Sequence, residues 1–344
     1  MSNKPLPGYR LALAATLLAV VVVVLGAFTR LVDAGLGCPD WPGCYGQLIW
    51  PDTPEEIARA EAAFPDSPVD NSKTWPEMVH RYCATLLGMV IIGLVMVAFR
   101  ARKTLPDYPL KHCIGLLLLV ICQGAFGAWT VTLKLWPQVV TAHLLGGFAV
   151  LSMLWLLVLR LRNQRWTLNT NESDRLHSLR PWLVGAILVV VGQIALGGWT
   201  SSNYAAIACT DFPTCQGHWL PPMDFAQAFD LTQDIGPNYL GGVMDNDARV
   251  TIHYSHRIGA LLVTAYLLVF CGALLRAKVT AAKPFALAIL GALALQVTLG
   301  ISNVLYIVPL PVAVAHNAGG ALLLLTLVTL AFQLHAPGRT EDNT

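Results

Sequence analysis

The chain has 344 residues, 55% of them hydrophobic and 12% charged, with a formal net charge of +2. Soluble domains carry roughly 25% charged residues, so this composition argues against a cytosolic enzyme, a disordered protein and, with eight cysteines, a secreted disulfide scaffold. The net charge is too small and too scattered for nucleic acid to be a partner. The composition is that of an integral membrane protein.

Eight near-continuous runs of Leu, Val, Ala, Ile and Gly are long enough to cross a membrane, since a spanning helix needs about 20 apolar residues. They occupy residues 11–29, 77–99, 112–132, 138–159, 182–200, 249–275, 284–304 and 312–334. None alternates with period two, as the strands of an outer-membrane barrel do. Because helices satisfy their own backbone hydrogen bonds in lipid, the predicted fold is an all-α integral membrane protein with eight transmembrane helices.

Lysines and arginines in the connections predict the orientation of these helices. The N-terminus and the connections after the second, fourth and sixth spans are rich in them, whereas the loops on the opposite side hold only Arg30, Arg59, Lys73 and Lys134. Both termini are therefore predicted to be cytoplasmic, in a bacterial inner membrane, with the two long loops outside. Residues 1–28 contain no clear signal-peptide cleavage site and are expected to remain as the first helix.

The second half of the sequence repeats the first. Residues 26–44 align without a gap with residues 197–215, and the alignment matches both cysteines, one threonine, one aspartate and one proline. Two further motifs recur in the same order, each containing a histidine: Glu77-x-x-His80-Arg81 with His253-x-x-His256-Arg257, and Ala142-His143-x-x-Gly146-Gly147 with Ala315-His316-x-x-Gly319-Gly320. Because four spans return the chain to its starting side, we predict two tandem pseudo-symmetric four-helix bundles, residues 1–170 and 171–344.

Four of the nine histidines occupy equivalent places in this repeat: His80 and His143 in the first half, His256 and His316 in the second. Each lies a few residues inside an even-numbered span, on the order of 10 Å below the outer surface at a rise of 1.5 Å per residue. Ionisable groups inside spans are functional candidates. Two imidazoles that face each other across a four-helix core suit the axial positions of a haem, and the glycines after His143 and His316 would let a macrocycle approach the backbone.

Two other interpretations of the histidines remain open at this point. Each imidazole could hydrogen-bond within its own bundle, or the histidines could join a compact metal site, for which only Glu77 and His253 are further ligand candidates. Each of two histidine motifs ends in an arginine, Arg81 or Arg257. These arginines are candidates for pairing with haem propionates or for anchoring a helix end.

The two halves differ at one informative position. Glu77 lies three residues before His80, on the same helical face, and its counterpart in the second half is His253. A carboxylate at a haem edge can transfer a proton or stabilise a developing positive charge. An acidic residue at a helix start would instead favour the N-terminal dipole. The difference predicts that the first bundle performs chemistry while the second holds a fixed cofactor.

Each of the two long external loops, about residues 30–76 and 201–248, contains two cysteines six residues apart: Cys38 with Cys44, and Cys209 with Cys215. Disulfides persist outside the cytoplasmic membrane, so we predict one bridge per loop. A thiol–disulfide switch in the first loop is the alternative. The other four cysteines lie in or at the ends of spans and are expected to be small apolar fillers.

These motifs resemble the haem A synthase family, the CtaA/Cox15 family. The resemblance rests on the first-loop string Thr29-Arg-Leu-Val-Asp-Ala-Gly-Leu-Gly-Cys38-Pro-Asp-Trp-Pro-Gly-Cys44, on the Glu77-x-x-His80-Arg81 motif and on the paired histidines, and it covers essentially the whole chain. It implies an eight-helix duplicated bundle that oxidises the methyl group at position 8 of haem O to a formyl group. Successive hydroxylations would give haem A for terminal oxidase assembly.

The resemblance also implies roles and partners. His80 and His143 would ligate the substrate haem with Glu77 essential beside them, and His256 and His316 would ligate a resident haem B. The implied partners are haem O, membrane lipids, haem O synthase and an electron-transfer protein, and a homo-oligomer is allowed. Two other functions account for the histidines, a di-haem cytochrome b-type electron-transfer protein and a haem carrier or assembly factor. Six-coordinate iron has no open position, so either one histidine leaves during turnover or water supplies the oxygen.

Overall fold

A computed structural model describes residues 4–335 and 338–339. Within them the chain forms eleven α-helices: α1 Tyr9–Leu31, α2 Pro54–Ala63, α3 Asn71–Ala101, α4 Leu110–Thr132, α5 Pro137–Arg162, α6 Thr170–His177, α7 Arg180–Ser202, α8 Phe225–Ala228, α9 Asn246–Arg276, α10 Lys283–Leu305 and α11 Leu310–His335. Two strands, β1 Thr167–Leu168 and β2 Gly338–Arg339, pair in parallel with Thr167 opposite Gly338. The regular secondary structure of the described residues is therefore almost entirely helical.

Eight of these helices, all except the short α2, α6 and α8, are long and apolar enough to cross a membrane. They coincide with the eight predicted spans, and the predicted all-α membrane fold is confirmed. The helices α3 and α9 begin earlier than predicted, at Asn71 and Asn246, so that each is 31 residues long. Their first turns are polar and escape a search for apolar runs, although Asp70 caps α3 by accepting a hydrogen bond from the Ser72 amide.

The contacts between the helices are consistent with the internal repeat. In the first half α1 packs against α3 and α5, and α4 closes a ring between those two helices. The helices α7, α9, α10 and α11 form the same ring in the second half. Because α5 contacts α7 and α11, and α1 contacts α11, one apolar core runs through both halves. Across this junction Trp155 Nε1 donates a hydrogen bond to Thr329 Oγ1 at 2.7 Å.

The two long loops fold alike around their cysteines. Cys38 is bonded to Cys44 and Cys209 to Cys215, as predicted. The second cysteine of each pair forms a β-bridge with the residue three positions further on. An aspartate in each loop accepts hydrogen bonds from two backbone amides of this turn: Asp40 from Tyr45 and Gly46, and Asp211 from Gln216 and Gly217. The repeat therefore extends from the helices into the loops.

Hydrogen bonds hold the pKa of Asp211 at about 2, below its ordinary value. The Thr214 hydroxyl makes the largest contribution, and the amides of Gly217 and Gln216 add to it. A lowered carboxyl pKa stabilises the folded loop above the unfolded pKa of about 3.9, and this stabilisation is lost only as the pH falls through the folded value. The turn around Cys215 in the second long loop therefore keeps its Asp211 anchor at any pH above about 4.

Candidate functional site

The four repeated histidines lie on helices that stand diagonally across the two rings. His80 lies nine residues after the start of α3, and His256 lies ten residues after the start of α9. His143 and His316 each lie six residues after the start of their helices, α5 and α11. At 1.5 Å per residue these are depths of roughly 9–15 Å along the helices. His80 and His143 stand close enough across the first ring for a charge on one imidazole to act on the other, and the same holds for His256 and His316 across the second. Each half thus brings its two histidines together.

Each imidazole lies against a glycine of the preceding span. A β-carbon built on that glycine would lie 2.9 to 3.5 Å from Cε1 of the ring: Gly26 against His80, Gly127 against His143, Gly197 against His256, and Gly300 against His316. Nδ1 of His80, His143 and His316 is buried and has no hydrogen-bond partner within the described part of the chain. Buried polar atoms are normally partnered, and neutral imidazoles are axial ligands of haem iron. The residues present therefore fit two haem sites.

The alternative of a compact metal site is not supported. In residues 4–335 and 338–339, no group of three or more His, Cys, Asp and Glu side chains is placed to hold a metal ion. Hydrogen bonding within a bundle accounts for contacts in the second ring, where Gln193 Nε2 lies 3.0 Å from His256 Nδ1 and Gln296 Nε2 lies 3.4 Å from His316 Nε2. It leaves His143 Nδ1, which has no partner among the described residues, without an explanation.

Glu77 lies almost fully buried, 4% exposed, where α3 meets the first disulfide loop. Its Oε2 accepts a hydrogen bond from the Cys38 amide at 2.9 Å, and its Oε1 forms an ion pair with Arg81. Glu77 follows the first residue of α3 by six residues, beyond the turn in which the helix dipole acts. The alternative, that Glu77 is an acidic residue at a helix start and interacts with the helix dipole, is therefore wrong. Its counterpart, His253, instead contacts the Ala205 carbonyl oxygen through Nδ1 at 3.0 Å.

Two arginines tie the disulfide loops to the histidine helices. Besides its ion pair with Glu77, the Arg81 guanidinium donates hydrogen bonds to three carbonyl oxygens of the first loop. The Arg257 guanidinium donates to the carbonyl oxygens of Thr214 and Cys209 at 2.8 and 3.0 Å. Both arginines therefore anchor a loop, and their pairing with haem propionates stays a prediction.

Gln193 and the glycines that face the imidazoles are not among the residues that the sequence motifs single out. Gln193 stands four residues before Gly197, in the same spacing that separates Gln123 from Gly127. Aligning the two halves hides this pattern, because the position equivalent to Gln193 in the first half holds Val22. Aligning the odd-numbered spans with one another would reveal it.

The fold and the site define a class, a multi-pass membrane protein with a partly buried histidine pair in each of two helical rings. The sequence profile of the COX15-CtaA family, described as cytochrome oxidase assembly protein, matches residues 9–328, and the chain belongs to this family. It is 47% identical to the Heme A synthase of Shewanella oneidensis over 94% of this chain and 95% of that protein. It is 27% identical to the Heme A synthase of Caulobacter vibrioides over 97% of this chain and 97% of that protein. It is 28% identical to the Heme A synthase of Paracoccus denitrificans over 91% of this chain and 84% of that protein.

Proposed function

We propose that this protein converts haem O to haem A by oxidising the methyl group at position 8 of the porphyrin to a formyl group. The observation that carries the proposal is the asymmetry at Glu77, a buried carboxylate one helical turn from His80 in the first ring, which the second ring replaces with His253. A di-haem electron-transfer protein needs both histidine pairs but no carboxylate. Family membership and the names of the relatives support the same function.

In this proposal the two halves of the protein bind different haems. His80 and His143, in residues 1–170, hold the substrate haem, and His256 and His316, in residues 171–344, hold a resident haem B. Haem iron, when bound, supplies a centre that gains and loses single electrons. With water as the source of the oxygen atom, the conversion of a methyl to a formyl group releases four electrons and four protons, and Glu77 is placed to accept a proton as a general base.

The proposal also assigns partners and sidedness. Haem O synthase supplies the substrate within membrane lipids, and an electron-transfer protein takes up the electrons. The protein lies in a bacterial inner membrane with both termini cytoplasmic and the disulfide loops outside, because the basic residues favour that orientation. A homo-oligomer is compatible with this arrangement.

Haem analysis of cells that contain a haem O source tests the function directly. Cells with and without this protein are extracted, and the haems are separated by chromatography and identified by mass. We expect haem A only when the protein is present. A purified protein that holds haem B and forms no product would reject the proposal in favour of a di-haem cytochrome. Haem O that is bound and released unchanged would reject it in favour of a carrier.

A glycine substitution next to a ligand tests the second site. Gly197→Val places a β-carbon against the His256 ring, 3.2 Å from Cε1, whereas Gly192→Val on the same helix points into open space. Displacement of a group that orients a metal ligand costs roughly 10–100-fold in affinity, so we expect at least about tenfold weaker haem B binding in Gly197→Val. The pyridine haemochrome assay gives the haem content of the two purified variants. Equal content would contradict the assignment of His256.

Opening the first disulfide is expected to displace Glu77, because the Cys38 amide holds its carboxylate. A misplacement of about 1 Å costs on the order of 100-fold in rate. The Cys38→Ser/Cys44→Ser variant should therefore lose formyl formation to about this extent and keep the absorbance spectrum of the resident haem. Cys122→Ser, which changes an exposed free cysteine, is the control. Unchanged conversion by the double variant would show that the bridge does not position Glu77.

A further inference from the structure

Each disulfide loop presents two neighbouring apolar side chains at its surface. Leu48 and Ile49 follow the first bridge and are 83% and 62% exposed, and Trp219 and Leu220 follow the second and are 72% and 74% exposed. The two pairs are equivalent in the repeat, since each begins four residues after the second cysteine of its bridge. Single exposed apolar residues are common, whereas adjacent ones point to an interaction surface. We call these two pairs the loop tips.

A tyrosine holds each loop tip against a membrane-spanning helix. The Tyr82 hydroxyl, on α3, donates a hydrogen bond to the Leu48 carbonyl oxygen, and the Tyr254 hydroxyl, on α9, donates one to the Trp219 carbonyl oxygen at 2.6 Å. The tyrosines are not equivalent in the repeat, because Tyr82 lies two residues after the histidine of its helix motif and Tyr254 two residues before. The two halves thus fix the same loop carbonyl from different helical positions.

These tyrosines place the loop tips at the edge of the lipid hydrocarbon. About twenty helical residues cross a hydrocarbon core roughly 30 Å thick. Counted back from Arg100 in α3 and from Arg276 in α9, the first basic residues at the far ends of the two spans, such a stretch begins close to the tyrosines. Tyr82 lies about 3 Å inside this boundary and Tyr254 about 3 Å outside it. Both tips therefore lie at the depth of the interfacial layer, in which tyrosine and tryptophan are enriched.

The first loop tip also continues the lipid-facing surface of α3. Tyr82 begins a row of exposed, large apolar side chains that recur every three or four residues on one helical face: Leu86, Met89, Ile92, Met96 and Phe99. Because α3 is long and apolar enough to span the membrane, this row faces lipid, and Leu48 is bonded to its first member. Residues 45–51 and 216–222 contain no Asp, Glu, Lys or Arg, so the tips can enter lipid without the cost of burying such a charge.

We infer that the two disulfide loops insert their tips into the lipid leaflet on their own side of the membrane, between the headgroups and the acyl chains. Insertion buries apolar side chains that water otherwise surrounds. It fixes each loop from the lipid side, while Arg81 and Arg257 fix it from the protein side. In the first half the same loop carries the Cys38 amide that holds Glu77, so the lipid contact contributes to the position of this carboxylate.

Spin labels on the loop tips test the insertion, because molecular oxygen concentrates in hydrocarbon and a water-soluble nickel chelate is excluded from it. The full chain, with its four free cysteines replaced by alanine, carries a nitroxide at Ile49→Cys or Leu220→Cys in phosphatidylcholine nanodiscs, and mass analysis verifies both disulfides. Met89→Cys on the lipid-facing row and Glu55→Cys on the exposed helix α2 are the lipid and water controls. We expect the oxygen-to-chelate accessibility ratio of both tips to match Met89→Cys and to exceed Glu55→Cys severalfold.

Two results would overturn the inference. Tip labels with the accessibility ratio of Glu55→Cys would place the tips in water. Tip labels that neither oxygen nor the chelate reaches would show that protein, such as a second copy of this chain, covers them instead of lipid.

Tyr82→Phe tests the contact that places the first loop tip. It removes the hydroxyl that the Leu48 carbonyl oxygen accepts and keeps the ring. A hydrogen bond is worth roughly two- to tenfold in an equilibrium constant, so the label at Ile49→Cys should gain a mobile spectral component and a lower oxygen-to-chelate ratio. Tyr306→Phe, which changes an exposed tyrosine at the end of α10, is the control. Equal spectra from the two variants would overturn the assignment of Tyr82.

Discussion

Replacing Glu77 by Gln is expected to lower the rate of formyl formation by about 100-fold or more, because a general acid–base group contributes roughly 10²–10⁴-fold. The substitution preserves the shape of the site, since a glutamine oxygen can still accept the hydrogen bond from the Cys38 amide that Glu77 accepts at 2.9 Å. It removes the proposed proton acceptor and the negative charge that pairs with Arg81. The loss should therefore appear in turnover rather than in haem content.

The measurement is the amount of haem A and of its alcohol precursor formed per unit of protein, together with the bound haem of each variant. Glu55→Gln on the exposed helix α2 is the matched control and should retain the parental rate. Glu77→Asp shortens the side chain but keeps the charge, so an intermediate rate is expected. A Glu77→Gln variant that forms haem A at the parental rate would remove the carboxylate from the mechanism.

The features near Glu77 show what the sequence could predict and what it could not. The carboxylate, its histidine and the asymmetry between the halves are visible in the spacing of one motif. The contact between Glu77 and the Cys38 amide joins residues 39 positions apart, and no helical periodicity relates a loop amide to a buried side chain. The early start of α3 at Asn71 was missed because its first turns are polar. That start matters, since it places Glu77 beyond the reach of the helix dipole.

Three glutamines, each on a span that packs against a histidine-bearing helix, illustrate a second limit. Two of them stand twenty residues before a histidine, Gln123 before His143 and Gln296 before His316, and that spacing is plain in the sequence. Gln193 precedes His256 by 63 residues, because a long loop separates α7 from α9. Only the packing of α7 on α9 shows that the three glutamines are equivalent. Sequence spacing reveals a repeat when the connections are short and conceals it when they are long.

His256→Ala and His80→Ala are expected to have different consequences, each of them large: loss of haem B from the first variant and loss of haem O conversion in the second. His256→Ala removes a proposed haem ligand from the ring in which Gln193 and Gln296 contact the imidazoles. We expect the purified variant to lose most of its haem B and the low-spin signal of that haem, because a metal ligand is gone and no further His, Cys or carboxylate cluster replaces it among the described residues.

His80→Ala should keep the haem B of the second ring and lose conversion of haem O instead. The two rings use separate histidine pairs, whose members interact with each other within one ring, so a ligand removed from one leaves the other intact. Electron paramagnetic resonance of both purified variants, with extraction and mass analysis of their haems, separates the two effects. Loss of the same haem species to the same extent in both variants would contradict the division of labour, because it would mean that one haem depends on histidines from both halves.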